Sequence, residues 1–296
     1  MKTKISELTE NDIKYIKDNF SQHGVKFCAD QLNIKRNVLD NLIYKKLKLK
    51  LSKEIKNKIL FNNKKKFLET NYSYNVDADQ FINIKTKEIA YILGLIWADG
   101  CIHKFKNREK RVITISLISE DMNDLLDVFN KTGKWTICSR NRKNRKPVTQ
   151  LTTTNSNIAN FLIDKKYISK GIDSACEILE LIPQDLKHYW FRGLFDGDGC
   201  FYIDKQKRKT ISIASTYEQN WLYLENILNK LQIQFSIYKS ISKKNHKHSS
   251  LCIRNKEGVK KFLDYIYKNY ENDGIGLKRK YKKYQETFQN QNTNLN

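Results

Sequence analysis

The residues of this chain whose type and spacing could do chemistry come in two copies of one short pattern. Asp99 and Gly100 close the apolar run ILGLIWADG (Ile92–Gly100), and Asp198 and Gly199 close FRGLFDGDG (Phe191–Gly199). Each run carries small residues four apart, Gly94 and Ala98 in the first, Gly193 and Gly197 in the second. That spacing puts both on one face of a helix. Glycine inside a helix costs about 0.5–1 kcal/mol relative to alanine, so it wants a reason. Close approach of two helix backbones supplies one, by the steric logic of small-residue contacts between helices. Helices packed in that way bring their C-terminal ends together, and Asp99 and Asp198 with them.

Such a meeting point is poor for two carboxylates. A helix C-terminus carries partial negative charge, and like charges close together push a carboxyl pKa up. A divalent cation relieves both. Ligands that are all oxygen suit Mg²⁺ (or Mn²⁺), which keeps several waters and accepts phosphate oxygens as further ligands. A metal held there could activate water and stabilise the leaving 3′ oxygen of a phosphodiester. Aspartate-glycine after a helix is also a common turn signal, and the pattern alone leaves catalysis and a structural turn both open.

The surrounding elements repeat as well. Each Asp-Gly-Cys leads into a strand, a basic turn (NREKR at 107–111, KQKRK at 205–209), and an alternating strand (VITISLIS from Val112, TISIAS from Thr210). A helix of apolar period follows, from Met122 and from Trp221. Two more strands flank a second basic turn, RNRKNRK in the first unit and KKNHKH in the second, and a further helix closes each unit. Residues 85–182 and 185–288 are thus two copies of one unit, preceded by a Lys-rich helical leader and linker over 1–75.

Composition points the same way. Lys and Arg number 55 against 32 Asp and Glu, a formal charge of +23. A chain this basic attracts polyanions. No apolar run approaches the roughly 18 residues of a bilayer span, which argues against a membrane partner. The N-terminus has no apolar secretory region. The six cysteines include no C-x-x-C pair, which favours reduced core thiols of an intracellular protein over a structural zinc site.

The two runs resemble the paired signature motifs of LAGLIDADG homing endonucleases, and the resemblance extends over about residues 85–285. The second motif, with Arg192 and DGDG, is the more specific; the first departs at Trp97, where many members carry aspartate. The resemblance implies an α+β fold of two pseudo-symmetric αββαββα units with saddle-shaped antiparallel sheets. It implies Mg²⁺-dependent cleavage of both strands of double-stranded DNA at a long site by a monomer. The essential acids of the family fall on Asp99 and Asp198. A lysine late in each unit would sit near the metals; Lys170 and Lys278 match best, with Lys280 close behind. Ser119 and Ser215 match each other after the second strand.

Alternating strands present every second side chain on one face, where basic and amide groups could read the major groove while turn residues hold phosphates. The expected DNA contacts in the first unit are Arg108, Arg111, Arg140, Arg142, Arg145 and Gln150, with His103, Phe105, Thr152 and Thr154 beside them. In the second they are Gln206, Arg208, Lys243, His246 and Arg254, with Tyr202, Asp204, Tyr238, Ser240 and His248. A charged, solvated sheet edge that blunts aggregation is the alternative for any one of them.

In the leader, a short helix from Val25 and a turn at Asn33-Ile34-Lys35 leading into another helix resemble a helix-turn-helix. That would put Lys35, Arg36 and Asn37 at the start of a recognition helix, with Asn41 further along it. A small helical bundle without a partner is the alternative. On the same fold an intron-splicing RNA maturase and a non-catalytic DNA-binding regulator are the competing functions. A free-standing protein is expected over a nuclease embedded in an intein, because no splicing-domain sequence flanks the repeats.

Overall fold

The computed structural model describes residues 2–52, 54–55, 76–104, 111–242 and 245–289. The chain forms two compact units, residues 1–73 and 74–296.

In the first unit, Thr9 caps helix α1 (Glu10–Gln31) through a capping box with Asp12. Gly24 lies at φ 82°, ψ 176° and breaks α1 into two helical stretches. Asn33 takes a left-handed φ of 52° and turns the chain. Helix α2 (Arg36–Asp40) then runs on into a wider π turn, Asn41–Leu47, which ends at left-handed Lys48. Ile16, Phe20, Cys28, Leu39 and Ile43 form the centre of its core. Helical stretches thus lie on both sides of the turn at Asn33, with Lys35, Arg36 and Asn37 exposed at the start of the second.

The second unit is α+β. After a short helix, α3 (Ala78–Ile82), come α4 (Lys87–Asp99), β1 (Gly100–Lys104), β2 (Arg111–Ile118), α5 (Ser119–Asn130), β3 (Thr136–Arg142), β4 (Arg145–Thr153), α6 (Ser156–Asp164) and α7 (Cys176–Leu181). The pattern repeats as α8 (Lys187–Asp198), β5 (Gly199–Ile203), β6 (Lys209–Thr216), α9 (Leu222–Lys230), β7 (Ser236–Ile241), β8 (Lys247–Ile253) and α10 (Lys256–Ile266), followed by α11 (Tyr270–Asp273) and α12 (Lys278–Phe288). The antiparallel sheets have matching orders, β1-β2-β4-β3 and β5-β6-β8-β7. Their registers match too: Gly100 pairs with Ile115 and Gly199 with Ile213. The two αββαββα units are thus the same fold built twice.

Strand alternation sorts the two faces of each sheet. Ile113, Ile115 and Leu151 of the first, and Ile211, Ile213 and Leu251 of the second, are buried beneath helices. The opposite face carries small polar rows: Cys101, Thr114, Thr152 and Thr136 in one sheet, Cys200, Ser212, Cys252 and Ser236 in the other. The expectation of core cysteines is corrected here. Cys28 and Cys252 are buried and Cys176 half-buried, but Cys101, Cys138 and Cys200 are exposed on the outward faces of their sheets. Helices α4 and α8 are buried along almost their whole length, α4 mostly through apolar residues and α8 with His188, Arg192 and Asp196 buried in it as well. No helix among the described residues is long and apolar enough to cross a membrane.

Candidate active site

Helices α4 and α8 meet at their small residues. A Cβ placed on Gly94 would lie 1.9 Å from the Trp190 carbonyl oxygen, and one on Gly193 would lie 2.1 Å from that of Tyr91. The contact is reciprocal and made by backbone, so neither side can swing away. One turn on, a Cβ at Gly197 would lie 2.3 Å from the Ala98 Cβ. The glycine after each aspartate has its own steric cause: a Cβ there would approach the Ile96 oxygen at Gly100, or the Phe195 oxygen at Gly199, to 2.5 Å. The helix thus passes straight into a strand, and Asp99 and Asp198 stand at the two junctions.

A lysine ammonium seals each junction. Lys170 Nζ donates to the carbonyls of Ile96, Ala98 and Gly100 at 3.0, 2.7 and 2.6 Å. Lys280 Nζ donates to those of Phe195, Asp196 and Gly199 at 2.6, 2.9 and 2.6 Å. A cation on the last carbonyls of a helix meets the negative end of its dipole. The second lysine corrects an expectation. Lys278 lies at the surface, its Nζ 3.3 Å from Asp124, and Lys280 is the counterpart of Lys170. At the start of α12 a two-residue step turns a side chain to another face.

The four groups are electrically coupled. Burial and the Asp99 carboxylate push Asp198 up to about 6, with Lys170 and Lys280 opposing. Asp99 is raised by loss of hydration, against the pull of both lysines and with a push from Asp121, although it keeps solvent access at the helix end. Burial lowers Lys170 to about 8, with Asp198 and Asp99 opposing, and lowers Lys280 in the same sense. Two mutually repelling carboxylates make an oxygen-only donor set of the kind Mg²⁺ accepts. Among the described residues no group of three or more His, Cys, Asp or Glu is placed to hold a metal. An ion on Asp99 and Asp198 would therefore draw its other ligands from water and phosphate, and the residues fit it on those terms.

The two junctions differ in their neighbours. Beside Asp198 and Lys170 opens a cleft of about 360 Å³ that also takes in Trp97, Ser215, Thr216 and Gln219. Gln219 accepts from the Ser215 hydroxyl at 2.7 Å and donates to the Asp173 carbonyl at 2.8 Å. In the other repeat Asp121 stands in the first turn of α5, just beyond the strand register that pairs Gly100 with Ile115 as Gly199 pairs with Ile213. Asp121 is buried and takes a two-pronged bond from Arg279, at 2.7 and 2.8 Å. The same register shows that Ser119 and Ser215 are not equivalent. Ser215 corresponds to Leu117, and Ser119 accepts from Thr149 instead.

Asp196 and Arg192, both buried, hold the loop that delivers Lys280. Asp196 accepts from Tyr91 Oη at 2.8 Å and from the Leu277 amide at 2.9 Å. Arg192 donates to the carbonyls of Ile266, Lys268 and Ile275 and pairs with Asp273. In the first unit Trp97 replaces Asp196 and packs edge-on against Tyr167 at 5.0 Å. Asp121, Gln219 and Arg279 were missed from sequence because they lie on surface-patterned helices and loops with no motif around them. The DGDG doublet was the one available signal for Asp196.

The expected DNA contacts divide by strand parity. Gln150, Arg140, Tyr238, Ser240 and His248 share the outward face with the small polar rows. Arg254, also exposed, donates to Tyr238 Oη at 2.8 Å and lies over its ring. Arg111 pairs with Lys104 at the sheet end, on the opposite parity from that face. Arg145, Gln206, Arg208 and His246 sit exposed at strand tips or turns, Arg208 held by Asp204 at 2.6 Å. Phe105, Arg108 and Lys243 lie outside the described residues, as does the side chain of Arg142.

Residues 185–267 match the model of the LAGLIDADG-like domain. Over 198 residues the chain is 23% identical to the probable translation initiation factor IF-2 of Methanocaldococcus jannaschii, covering 66% of this chain and spanning 15% of that protein's length. Similar solved structures include the LAGLIDADG homing endonuclease I-GzeII in complex with its DNA target (17% identity, 70% of this chain and 92% of that one, TM-score 0.42). I-DmoI in complex with DNA and Ca is another (20%, 61% and 88%, TM-score 0.40). A third is full-length DUF199/WhiA from Thermatoga maritima (19%, 72% and 65%, TM-score 0.42).

Proposed function

We propose that this chain, whose residues 185–267 are a LAGLIDADG-like domain, is a site-specific endonuclease that hydrolyses both strands of duplex DNA with a divalent metal. The reading rests on one arrangement: Asp99 and Asp198 at the ends of two interlocked helices, each junction sealed by a lysine. Asp99 and Asp198 would hold the metal, Mg²⁺ or Mn²⁺, which when bound supplies Lewis acidity and lowers the pKa of water. Lys170 and Lys280 fix the carbonyls that aim the two carboxylates, and each offers positive charge beside a scissile phosphate. Gln219 and Ser215 offer a neutral hydrogen-bonding wall to the cleft at Asp198. The outward sheet face is free of bulky charge near the junctions and basic toward its tips, so groove contacts would flank the cut and phosphate contacts would lie further out. Lys35, Arg36 and Asn37 of the first unit would add a second contact to DNA. Because both half-sites lie in one chain, a monomer would cut both strands.

The test is incubation of the purified chain with a randomised duplex library, with Mg²⁺ or with EDTA. Metal-dependent ends at one shared long sequence are expected, lost in Asp99→Asn and in Asp198→Asn while binding persists. Tight duplex binding without cleavage would replace this reading with a regulator, and selective binding of intron RNA without cleavage would replace it with a maturase.

A further inference from the structure

Each lysine that seals a junction sits on a stretch of chain held by the opposite repeat. Lys280 lies in the first turn of α12, at the end of the second repeat. Helix α5 of the first repeat grips that turn at two places. Asp124 accepts from the Lys278 amide at 3.2 Å, one of the first-turn donors that a helix cannot satisfy internally. Leu277, at the N-cap of α12, offers no side-chain acceptor of its own. Asp121, buried, takes both donors of the adjacent Arg279 at 2.7 and 2.8 Å. Arg279 and Lys280 are neighbours in sequence, so fixing the first fixes the backbone from which the second reaches the carbonyls at the end of α8.

Lys170 is held in the opposite sense and by different chemistry. Its loop belongs to the first repeat, and the end of β6 with the turn after it grips that loop from the second. Thr216 donates its hydroxyl to the Gly171 carbonyl, the Asn220 amide donates to that of Ile172 at 3.1 Å, and Gln219 Nε2 to that of Asp173 at 2.8 Å. The segments touch: a Cβ on Gly171 would lie 2.8 Å from Thr216 Cγ2. These are neutral hydrogen bonds to backbone, where the other lysine depends on a two-pronged ion pair with a half-exposed guanidinium. Charge-assisted hydrogen bonds are roughly twice as strong as neutral ones, so Arg279 is the single side chain on which the hold over α12 most depends.

We infer that Asp121 and Arg279 are positioning residues for Lys280: their ion pair across the repeats sets the ammonium against the end of α8, as Gln219 and Thr216 set Lys170 against the end of α4. Each repeat completes the other's junction, and the two junctions can be loosened one at a time. Asp121 and Arg279 need touch no substrate in this role. Where Lys280 sits is a property of the folded chain; what its displacement does to cutting rests on the endonuclease reading.

The experiment measures how fast each lysine of the full chain is acetylated by a water-soluble reagent, without DNA or metal, read by peptide mass spectrometry. Lys170 and Lys280, each bonded to three carbonyls, should react slowly in the parent. In Arg279→Ala, acetylation of Lys280 should rise about tenfold or more while Lys170 stays within about twofold, and Gln219→Ala should do the reverse. Arg279→Lys, which keeps the charge but loses the fork, should fall between. Lys280 as protected in Arg279→Ala as in the parent would overturn the inference, and so would equal exposure of both lysines, the mark of general loosening. Because Arg279→Ala leaves a buried carboxylate unpaired and can fail to fold, Asp124→Ala is measured as well. It should expose Lys280 about threefold or more and leave Lys170 unchanged, and no change at Lys280 would overturn the inference. On a duplex that the parent cuts, Arg279→Ala should slow cleavage as Lys280→Met does. Weaker duplex binding with Lys280 still protected would make Arg279 a DNA contact and overturn the inference. A parent that cuts no duplex would count against the endonuclease reading alone, with the acetylation result deciding the inference.

Discussion

Gly94→Ala isolates the interlock of the two motif helices. The added Cβ would start 1.9 Å from the Trp190 oxygen and 3.0 Å from the Leu194 amide nitrogen. An ordinary carbon–oxygen contact needs a little over 3 Å, so α4 and α8 must part by about 1 Å. A gap of 0.5–1 Å forfeits roughly a quarter to a half of each dispersion contact it opens. The seam includes buried Tyr91, Leu95, Trp190 and Leu194, so a loss of about 3–5 kcal/mol is expected, in the range of severe core disruptions. Better helix propensity returns about 1 kcal/mol, leaving a net cost of about 2–4 kcal/mol. Ala98→Gly is the contrast: it relieves packing at the same seam and should cost about 1 kcal/mol. Urea unfolding followed by tryptophan fluorescence reads this unit alone, since Trp97, Trp135, Trp190 and Trp221 are the chain's four tryptophans and all lie in residues 74–296. A Gly94→Ala protein within about 1 kcal/mol of the parent would refute the backbone-contact account.

Three further outcomes are expected. Lys280→Met should slow cleavage of at least one strand by about tenfold or more, while Lys278→Ala stays within about twofold of the parent; equal effects in a strand-resolved nicking assay would undo the assignment of Lys280. In metal-free buffer, Asp198, raised from 3.8 to about 6, keeps a proton in the folded state that the unfolded chain has released. Stability should therefore fall as pH rises from about 4 to about 6. Asp198→Asn should remove most of that slope and add about 1–2 kcal/mol at neutral pH, allowing for the carboxylate's partial exposure; a variant no more stable than the parent in urea titrations would contradict it. Tyr91→Phe takes a donor from Asp196 inside the core and should cost about 1–3 kcal/mol, read as a shift in urea midpoint, and a shift near zero would mean the carboxyl is neutral and otherwise satisfied.

The sequence by itself determined the repeat and the position of Asp99 and Asp198 at the ends of its two motif helices. Those are local matters: an apolar run with small residues four apart has few uses, and strand alternation separates the faces of a sheet wherever it is placed. The second strand pairs, the capping threonines and the left-handed turn at Asn33 are likewise written in short windows of chain. What the tertiary structure alone decided depends on contacts across some 70 to 160 residues. Lys280 rather than Lys278 reaches a helix end because of where α12 starts against α8. Asp121 is locked by Arg279 and Gln219 borders a cleft, though nothing adjacent in sequence marks either. His188 Nε2 is buried without a partner, and of the charges nearest its ring, Arg192, Lys268 and Asp273, the last two come from other parts of the chain. Periodicity fixes which face a residue takes, but the groups facing it come from other segments, and their distance and desolvation set its chemistry.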